Sequence, residues 1–512
     1  MSDERIGPSG DRVLTQSGTL YRIDQATGEL SATGLDESVL PILDSIDTYK
    51  TKDAHTQDLL ERYEGLFSLS EARGILDALE REGLLLGQET LLAEISEASA
   101  APENNEPPTL VLVPTNKALH QTVDVLRSIA DQLAKDDERE RRLILCAQDA
   151  VDEKSATLLA DLNRDGVSVC YMDRESFSSW IDSMGPELSD EERRTVERAT
   201  GVGEEGGFRA GANRNRMLLA TASRRFVATD DDQPSRCCRL GGPPLLVCSR
   251  FNPLEYTPYA GIEELQTRVE FSPFDPARMH GAYLSQPIGR LLAGQNIEIS
   301  AVQGRFLREL RAVGGTVRAT SLGLAGDIGQ RTQLLMLMTE GRSLEALIDS
   351  GKRYRELLLS TVGIASAPRP TVTSSPLFRS SHCGYDNTVP LPPFPPTGRN
   401  EDGVFGAALS KVYGPGAILH LPFAVEHIPK RRDPLGTEAL TDSSYRANDI
   451  LLLLMLQWSP RATDSTAPSR QRHLAAYLEE IASGSDRSFR ALGTEVAAKQ
   501  TSGTVFTLRR LL

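Results

Sequence analysis

Four short apolar runs constrain this chain more than any other feature. They are TLVLVPTN (109–116), RRLILCAQDA (141–150), VSVCYMD (167–173) and RFVATDDD (225–232), with helical patterns between them. Apolar strands without in–out alternation are buried on both faces. Strands that alternate with helices build a mostly parallel sheet covered on both sides, so the expected class is α/β. Ligands of such sheets bind beyond the carboxyl ends of the strands. Pro114, Thr115, Asp149, Asp173 and Asp230–Asp232 all fall at such ends.

The chain divides around this core. Residues 1–98 form a separate unit, opening with a hairpin pattern, TLYRIDQATGEL (19–30), whose turn lies near Thr27-Gly28. Helical patterns follow near 37–46, 55–63 and 70–82, and a short strand at 84–86 closes the unit. Ser68 stands three residues before Glu71, the spacing of a capping box, and Gly83 supplies a C′ position. Residues 99–108, SAAPENNEPP, read as a linker. The sheet domain then spans 109–460, with a helical insertion expected at about 251–380. Residues 461–512 read as a C-terminal extension: a helix near 470–483, then a strand-like TVFTLRRLL.

Composition excludes some functions. A net charge of −15 argues against a nucleic-acid partner, because phosphate binding needs a basic face. The longest apolar run, Ile450–Leu456, is far short of the roughly 20 residues that span a bilayer. It reads as a buried helix, so no membrane span is expected. No basic-then-apolar segment opens the chain, and the six cysteines show no CxxC spacing. Reduced thiols and a cytoplasmic location are the simplest expectation.

Three segments carry candidate chemistry. In ANRNRMLLATASRRFVATDDDQ (212–233), a helix rich in Asn and Arg leads into an apolar strand that ends in three aspartates. Carboxylates at the open end of a buried strand suit a hard divalent cation bridged to a diphosphate, although a solvated acidic turn has the same composition. In LPPFPPTGRNEDGVFGAAL (391–409), a proline-rich loop delivers Glu401 and Asp402 to a helix start. There they suit either a general base or the helix dipole. In ILHLPFAVEHIP (418–429), a strand-like run ends in His427, which suits a metal ligand or a structural hydrogen bonder. His420 shares the face of His427 only if no bulge intervenes.

The order of Asn/Arg-rich helix, apolar strand and Asp-x-Asp element resembles family 2 glycosyltransferases of the GT-A fold. That resemblance implies a Rossmann-like catalytic domain, a nucleotide-sugar donor (a UDP-sugar favoured) and Mn²⁺ or Mg²⁺. It places Asp230 and Asp232 on the metal, with His427 as a further ligand. Pro114, Thr115, Asp149, Asp173, Arg214, Asp230 and Asp231 would line the donor site. Asp402 would be the base, supported by Glu401, in an inverting transfer. One departure from the family pattern is the gap of roughly 170 residues between the two acidic motifs. Residues 12–86 resemble PqqD-like peptide-recognition elements, small winged-helix-like α+β domains. That implies a leader peptide captured as an added strand, with hairpin-edge residues such as Tyr21 and Ile23 and the helix at 70–82 forming the groove. Together these imply transfer of a sugar to a Ser, Thr or Cys of a peptide, in modified-peptide biosynthesis. A transferase acting on a glycan or small molecule and a non-catalytic peptide-binding scaffold are the alternatives.

Overall fold

The computed structural model describes residues 4–23, 29–98, 108–115, 122–135, 141–147, 167–184, 187–202, 209–241, 245–248, 252–293, 295–328, 341–348, 354, 356–357, 359–428, 445–460 and 466–511. The N-terminal unit holds six strands in two small sheets. β1 (Arg5–Pro8) lies between β5 (Lys50–Thr51) and β6 (Leu85–Gly87), while β2 (Arg12–Gln16), β3 (Thr19–Ile23) and β4 (Leu30–Asp36) form an antiparallel meander. Helices α1 (Leu40–Ser45), α2 (Lys52–Arg62) and α3 (Leu69–Arg81) cover them around Ile6, Leu20, Ile42, Leu59, Leu76 and Leu79. The capping box of α3 forms as its spacing predicts: Ser68 accepts from the Glu71 N–H while Glu71 accepts from the Ser68 N–H. One expectation is corrected. Tyr21 is paired on both sides, with Leu14 and with Ala32, so β3 is a central strand and Tyr21 and Ile23 do not lie on a hairpin edge.

A fourth helix, α4 (Gln88–Ala98), leaves this unit and packs on the large domain. Its Leu91 and Ile95 join Tyr49 in one apolar core with the strands of the large sheet. Arg311 fastens the contact, binding Asp11 at 3.2 Å and Glu94 at 2.5 Å.

The large sheet has 14 strands. In chain order they are β7 (Leu110–Thr115), β8 (Arg141–Ala147), β9 (Val167–Met172), β10 (Arg224–Thr229), β11 (Arg236–Arg239), β12 (Leu245–Cys248), β13 (Glu255–Pro258), β14 (Ser272–Pro273), β15 (Ile297–Ser300), β16 (Ala319–Asp327), β17 (Val362–Ser366), β18 (Thr371–Thr373), β19 (His382–Asn387) and β20 (Ile418–His427). The main path runs β15-β12-β18-β20-β16-β19-β10-β7-β8-β9. Along it the pairs are parallel except β18–β20, β16–β19 and β10–β19. The four apolar runs of the sequence thus supply β7 to β10, consecutive in the chain and adjacent in space.

Residues 251–380 differ from the expected helical insertion. Six strands, β13 to β18, come from this stretch, and β16 lies near the middle of the sheet with all nine residues buried. The helices of the large domain are α5 (Val123–Leu133), α6 (Arg174–Ser183), α7 (Asp190–Thr200), α8 (Ala210–Ala220), α9 (Ile262–Arg268), α10 (Pro276–Gly281), α11 (Ile288–Leu292), α12 (Gly304–Val313), α13 (Gly341–Ile348) and α14 (Glu401–Tyr413). Beyond them α15 (Ala447–Gln457), α16 (Ala467–Ala482) and α17 (Asp486–Leu511) complete the chain, with α15 and α16 packed on α14. The strand-like 504–512 is thus the end of a helix up to Leu511. A helix already nucleated at Asp486 gains one hydrogen bond per added residue, which outweighs a weak β preference. No helix among the described residues is long and apolar enough to cross a membrane.

Candidate active site

Strands β7, β8, β9, β10, β16 and β20 run in one direction, so their carboxyl ends form one rim of the sheet. β19 runs against both of its neighbours, and its entry loop, 379–381, arrives at the same rim. Pro114 and Thr115 end β7 there, with Pro114 buried. Asp173 follows β9, and its carboxylate accepts from the Ser176 N–H at 2.7 Å, capping α6. Asp149 lies outside the described residues.

β10 is buried from Arg225 to Thr229, and the chain leaves the sheet at the aspartates. The Asp230 N–H donates to the Ser381 carbonyl at 2.8 Å, which pins the turn to the β19 entry loop. Asp231 is buried, while the side chains of Asp230 and Asp232 keep about a third of their surface, 32% and 29%. The openness of this turn gives a ligand access from solvent. Burial pushes the Asp230 carboxyl up to about 7; Arg214 pulls the other way, and Asp232 and Asp231 add to the rise.

The Asn/Arg-rich helix is α8, and its polar residues face inward. Arg214 donates to Asp230 Oδ1 at 3.1 Å and to Ser380 Oγ at 2.8 Å. Asn215 clasps the proline-rich loop: its Nδ2 donates to the Phe394 carbonyl at 2.9 Å, and its Oδ1 accepts from the Phe394 N–H at 2.8 Å. Arg216 donates to the Thr200 carbonyl at 2.9 Å. Gly211 lets the helix touch the loop directly, since a Cβ there would lie 1.8 Å from the Pro395 carbonyl oxygen. One helix therefore grips both acidic motifs, which closes the gap of roughly 170 residues between them.

The loop hands the chain to α14 through Asn400, in the left-handed region at φ 68° and held by an Asn400–Asp449 hydrogen bond of 2.7 Å. Glu401 is buried and Asp402 partly exposed. Burial first, and then the Asp402 charge, raise the Glu401 carboxyl above its usual range. Arg214 lies within electrostatic reach of both carboxylates.

His427 ends β20 at this rim. Its Nδ1 bonds the Asp327 carbonyl, and its Nε2 lies 3.5 Å from Asp232 Oδ1. Burial opposes the charged imidazole, but the Asp232 hydrogen bond and charge outweigh it, so the ring titrates above its ordinary value. His420 is not a partner in this pair. The β16–β20 register slips between Ser321 and Gly323, so a bulge separates the two histidines, and the His420 ring bonds the Leu377 backbone instead. The loop 379–381 carries three site residues that the sequence does not signal: Arg379, Ser380 and Ser381.

These groups fit a divalent cation of the kind Mg²⁺ and Mn²⁺ represent. The Nδ1 contact of His427 orients its Nε2 toward Asp232, as second-shell bonds orient metal ligands. Neighbouring ligands of such an ion sit roughly 3 Å apart, and a cation bound with substrate phosphates needs only one or two protein carboxylates. Among the described residues no group of three or more His, Cys, Asp or Glu is assembled around one point, so water or substrate oxygens would supply the remaining positions.

No protein-family model matches the chain, and no curated protein matches it. Among solved structures it is similar to the mannosyltransferase PcManGT from Pyrobaculum calidifontis in complex with GDP-Man and Mn²⁺. The identity is 12%, covering 82% of this chain and 92% of that one, with a TM-score of 0.26. A TM-score that low does not establish a shared fold.

Proposed function

We propose that this chain is a GT-A glycosyltransferase that moves a sugar from a nucleotide donor to an acceptor nucleophile. The observation that carries the reading is the grip of α8 on both acidic motifs: Arg214 bonds Asp230 and lies within reach of Glu401 and Asp402. Asp232 and His427 would hold Mn²⁺ or Mg²⁺ together with water or donor oxygens, while Asp230 stays paired with Arg214 beside them; the ion would supply positive charge to the departing nucleoside diphosphate. Asp402 takes the proton of the acceptor hydroxyl or thiol as that atom bonds the anomeric carbon. The bond from that carbon to the phosphate oxygen breaks, and its electron pair leaves with the diphosphate. Attack in line from the opposite face inverts the sugar. Pro114, Thr115 and Asp231 would line the donor side, and a UDP-sugar is the first donor to try.

The acceptor we infer is a Ser, Thr or Cys of a peptide held by the N-terminal unit. With β3 paired on both sides, an added strand would use the edge of β2 or β4. Those strands expose Leu14 and Leu30, 51% and 54% accessible, apolar side chains that a bound strand would cover. In the full chain, Leu30→Glu should weaken peptide binding about tenfold with no change in nucleotide release. Equal affinity in the variant would remove the peptide from this edge.

The direct test is release of free nucleotide from UDP- and GDP-sugars with Mn²⁺ or Mg²⁺, wild type against Asp232→Ala. Metal-dependent release that disappears in the variant supports a transferase. No release and no donor binding would leave a peptide-binding scaffold.

A further inference from the structure

Arg379 carries a charge that the fold leaves unspent. Its backbone is fixed, the carbonyl accepting from Ser321 Oγ at 3.1 Å and from Cys383 Sγ at 2.9 Å. Its guanidinium makes one long hydrogen bond, 3.5 Å to the Ile328 carbonyl, and has no carboxylate within ion-pair distance among the described residues. Arg214, by contrast, is committed to Asp230 and Ser380. A guanidinium set in protein without an anion is costly, and that cost is recovered when a ligand brings one.

Two further groups wait beside it. The Tyr256 hydroxyl and His420 Nε2 are buried and have no hydrogen-bond partner. Tyr256 packs in one apolar cluster with Ile328, whose carbonyl Arg379 binds, and His420 pairs across the ladder with Ser321, whose hydroxyl bonds the Arg379 carbonyl. Burial holds His420 neutral, down to about 4, and keeps Tyr256 protonated, so neither repels an anion. Gly406, one turn beyond Asp402 on α14, packs directly on Phe378, the residue before Arg379, and Asp402 is the carboxylate whose charge reaches Arg379, so Arg379 stands between the candidate base and the aspartate turn.

We propose that Arg379, with the Tyr256 hydroxyl and His420, forms an oxyanion subsite beside Asp402 that seats a carboxylate or phosphate of the acceptor. The word acceptor rests on the glycosyl-transfer reading; the subsite does not. A bound anion would orient the nucleophile toward Asp402 and offset the repulsion an anionic acceptor meets from Asp402 and Glu401.

The full chain is titrated with inorganic phosphate and, separately, with acetate, by calorimetry. Wild type should bind at least one of them, and the stronger of the two names the chemistry of the acceptor group. Arg379→Ala should weaken that binding at least about tenfold, because charge-assisted bonds are the strong ones. Tyr256→Phe removes no hydrogen bond in the free protein, so it should melt like wild type and still bind the anion about threefold or more weakly. No binding by wild type, or equal binding by a folded Arg379→Lys and by Tyr256→Phe, overturns the subsite. Parallel loss of nucleoside diphosphate–Mn²⁺ binding in Arg379→Ala would assign Arg379 to the donor and overturn its placement on the acceptor side. Anion binding that depends on Arg379, in a protein that binds no nucleotide, would support the subsite and sink the transferase reading.

Discussion

At the scale of single residues, the candidate site divides its work between two groups of side chains. Asp232 and His427 face each other across 3.5 Å and suit a cation; Asp402 sits at the start of α14 with its Oδ1 accepting from the Gly403 N–H at 2.9 Å. Removing a metal ligand and removing a base have different signatures. His427→Ala should weaken Mn²⁺ binding by an order of magnitude or more, read by the paramagnetic signal of free Mn²⁺. Asp402→Asn should leave that affinity within about twofold and lower turnover about 10²–10⁴-fold, the range for loss of a positioned base. Loss of Mn²⁺ affinity in Asp402→Asn instead would make that residue a ligand. The two positions also differ in how they read from sequence. Asp230–Asp232 are visible because an apolar strand runs straight into them. Arg379, Ser380 and Ser381 sit in a polar loop that resembles any turn, and only the folding of β19 against β10 gives them their place.

At the scale of elements, α8 is the part that makes one site from two motifs. An Asn/Arg-rich helix is an odd thing to bury, and Asn213 to Arg216 are all buried. The hydrogen bonds of Arg214, Asn215 and Arg216 reach the aspartate turn, the 379–381 loop, the proline-rich loop and the end of α7, so the helix is a clamp with polar teeth. Gly211→Ala tests it without touching a polar group. Its Cβ would meet the Pro395 carbonyl at 1.8 Å, and backbone must move to make room. The cost should be about 1–3 kcal/mol in urea unfolding, the range for overpacking. Turnover should fall as Asp402 shifts, while Mn²⁺ affinity, set on the other side of α8, changes little. Unchanged stability would mean the loop yields freely and does not hold Asp402. The strands β7 to β10 were legible because they are continuous apolar runs. β16 was not, although it lies near the middle of the sheet: in ATSLGLAGD only Leu322 and Leu324 are large and apolar. Ser366 and the Ala365 carbonyl of β17 crowd Gly323, and the His427 carbonyl of β20 crowds Gly326, which selects glycine there and breaks the hydrophobic signal on which strand prediction rests.

At the scale of the whole molecule, the sheet carries a histidine pair that should govern its response to acid. His280 on α10 and His382 on β19 stack, with His280 Nε2 3.0 Å from His382 Nδ1 and His280 Nδ1 2.7 Å from Thr320 Oγ1. Burial pushes His382 down to about 3; it pushes His280 well below its ordinary value too, and there His382 adds to the drop. Between those folded values and the unfolded value of about 6.5, the unfolded chain binds protons that the folded chain does not. Stability therefore falls as pH drops below about 6.5, and the slope approaches about 1.4 kcal/mol per pH unit for each histidine, about 3 for the pair. Asp230 and Glu401 act with the opposite sign. Their raised folded values mean that the folded chain takes up protons first, which favours folding as pH falls toward about 4. The total curve mixes the two, so its shape alone does not reveal the histidines. The difference between two proteins does. Urea unfolding of wild type and of a His280→Gln/His382→Gln variant at pH 7.5, 6.0 and 5.0 holds the acids constant. The variant should start less stable and lose less per pH unit, its slope below pH 6 differing from wild type by most of that 3 kcal/mol. Parallel slopes would mean that protons reach the pair in the folded state, and acid sensitivity would then lie with groups at the rim.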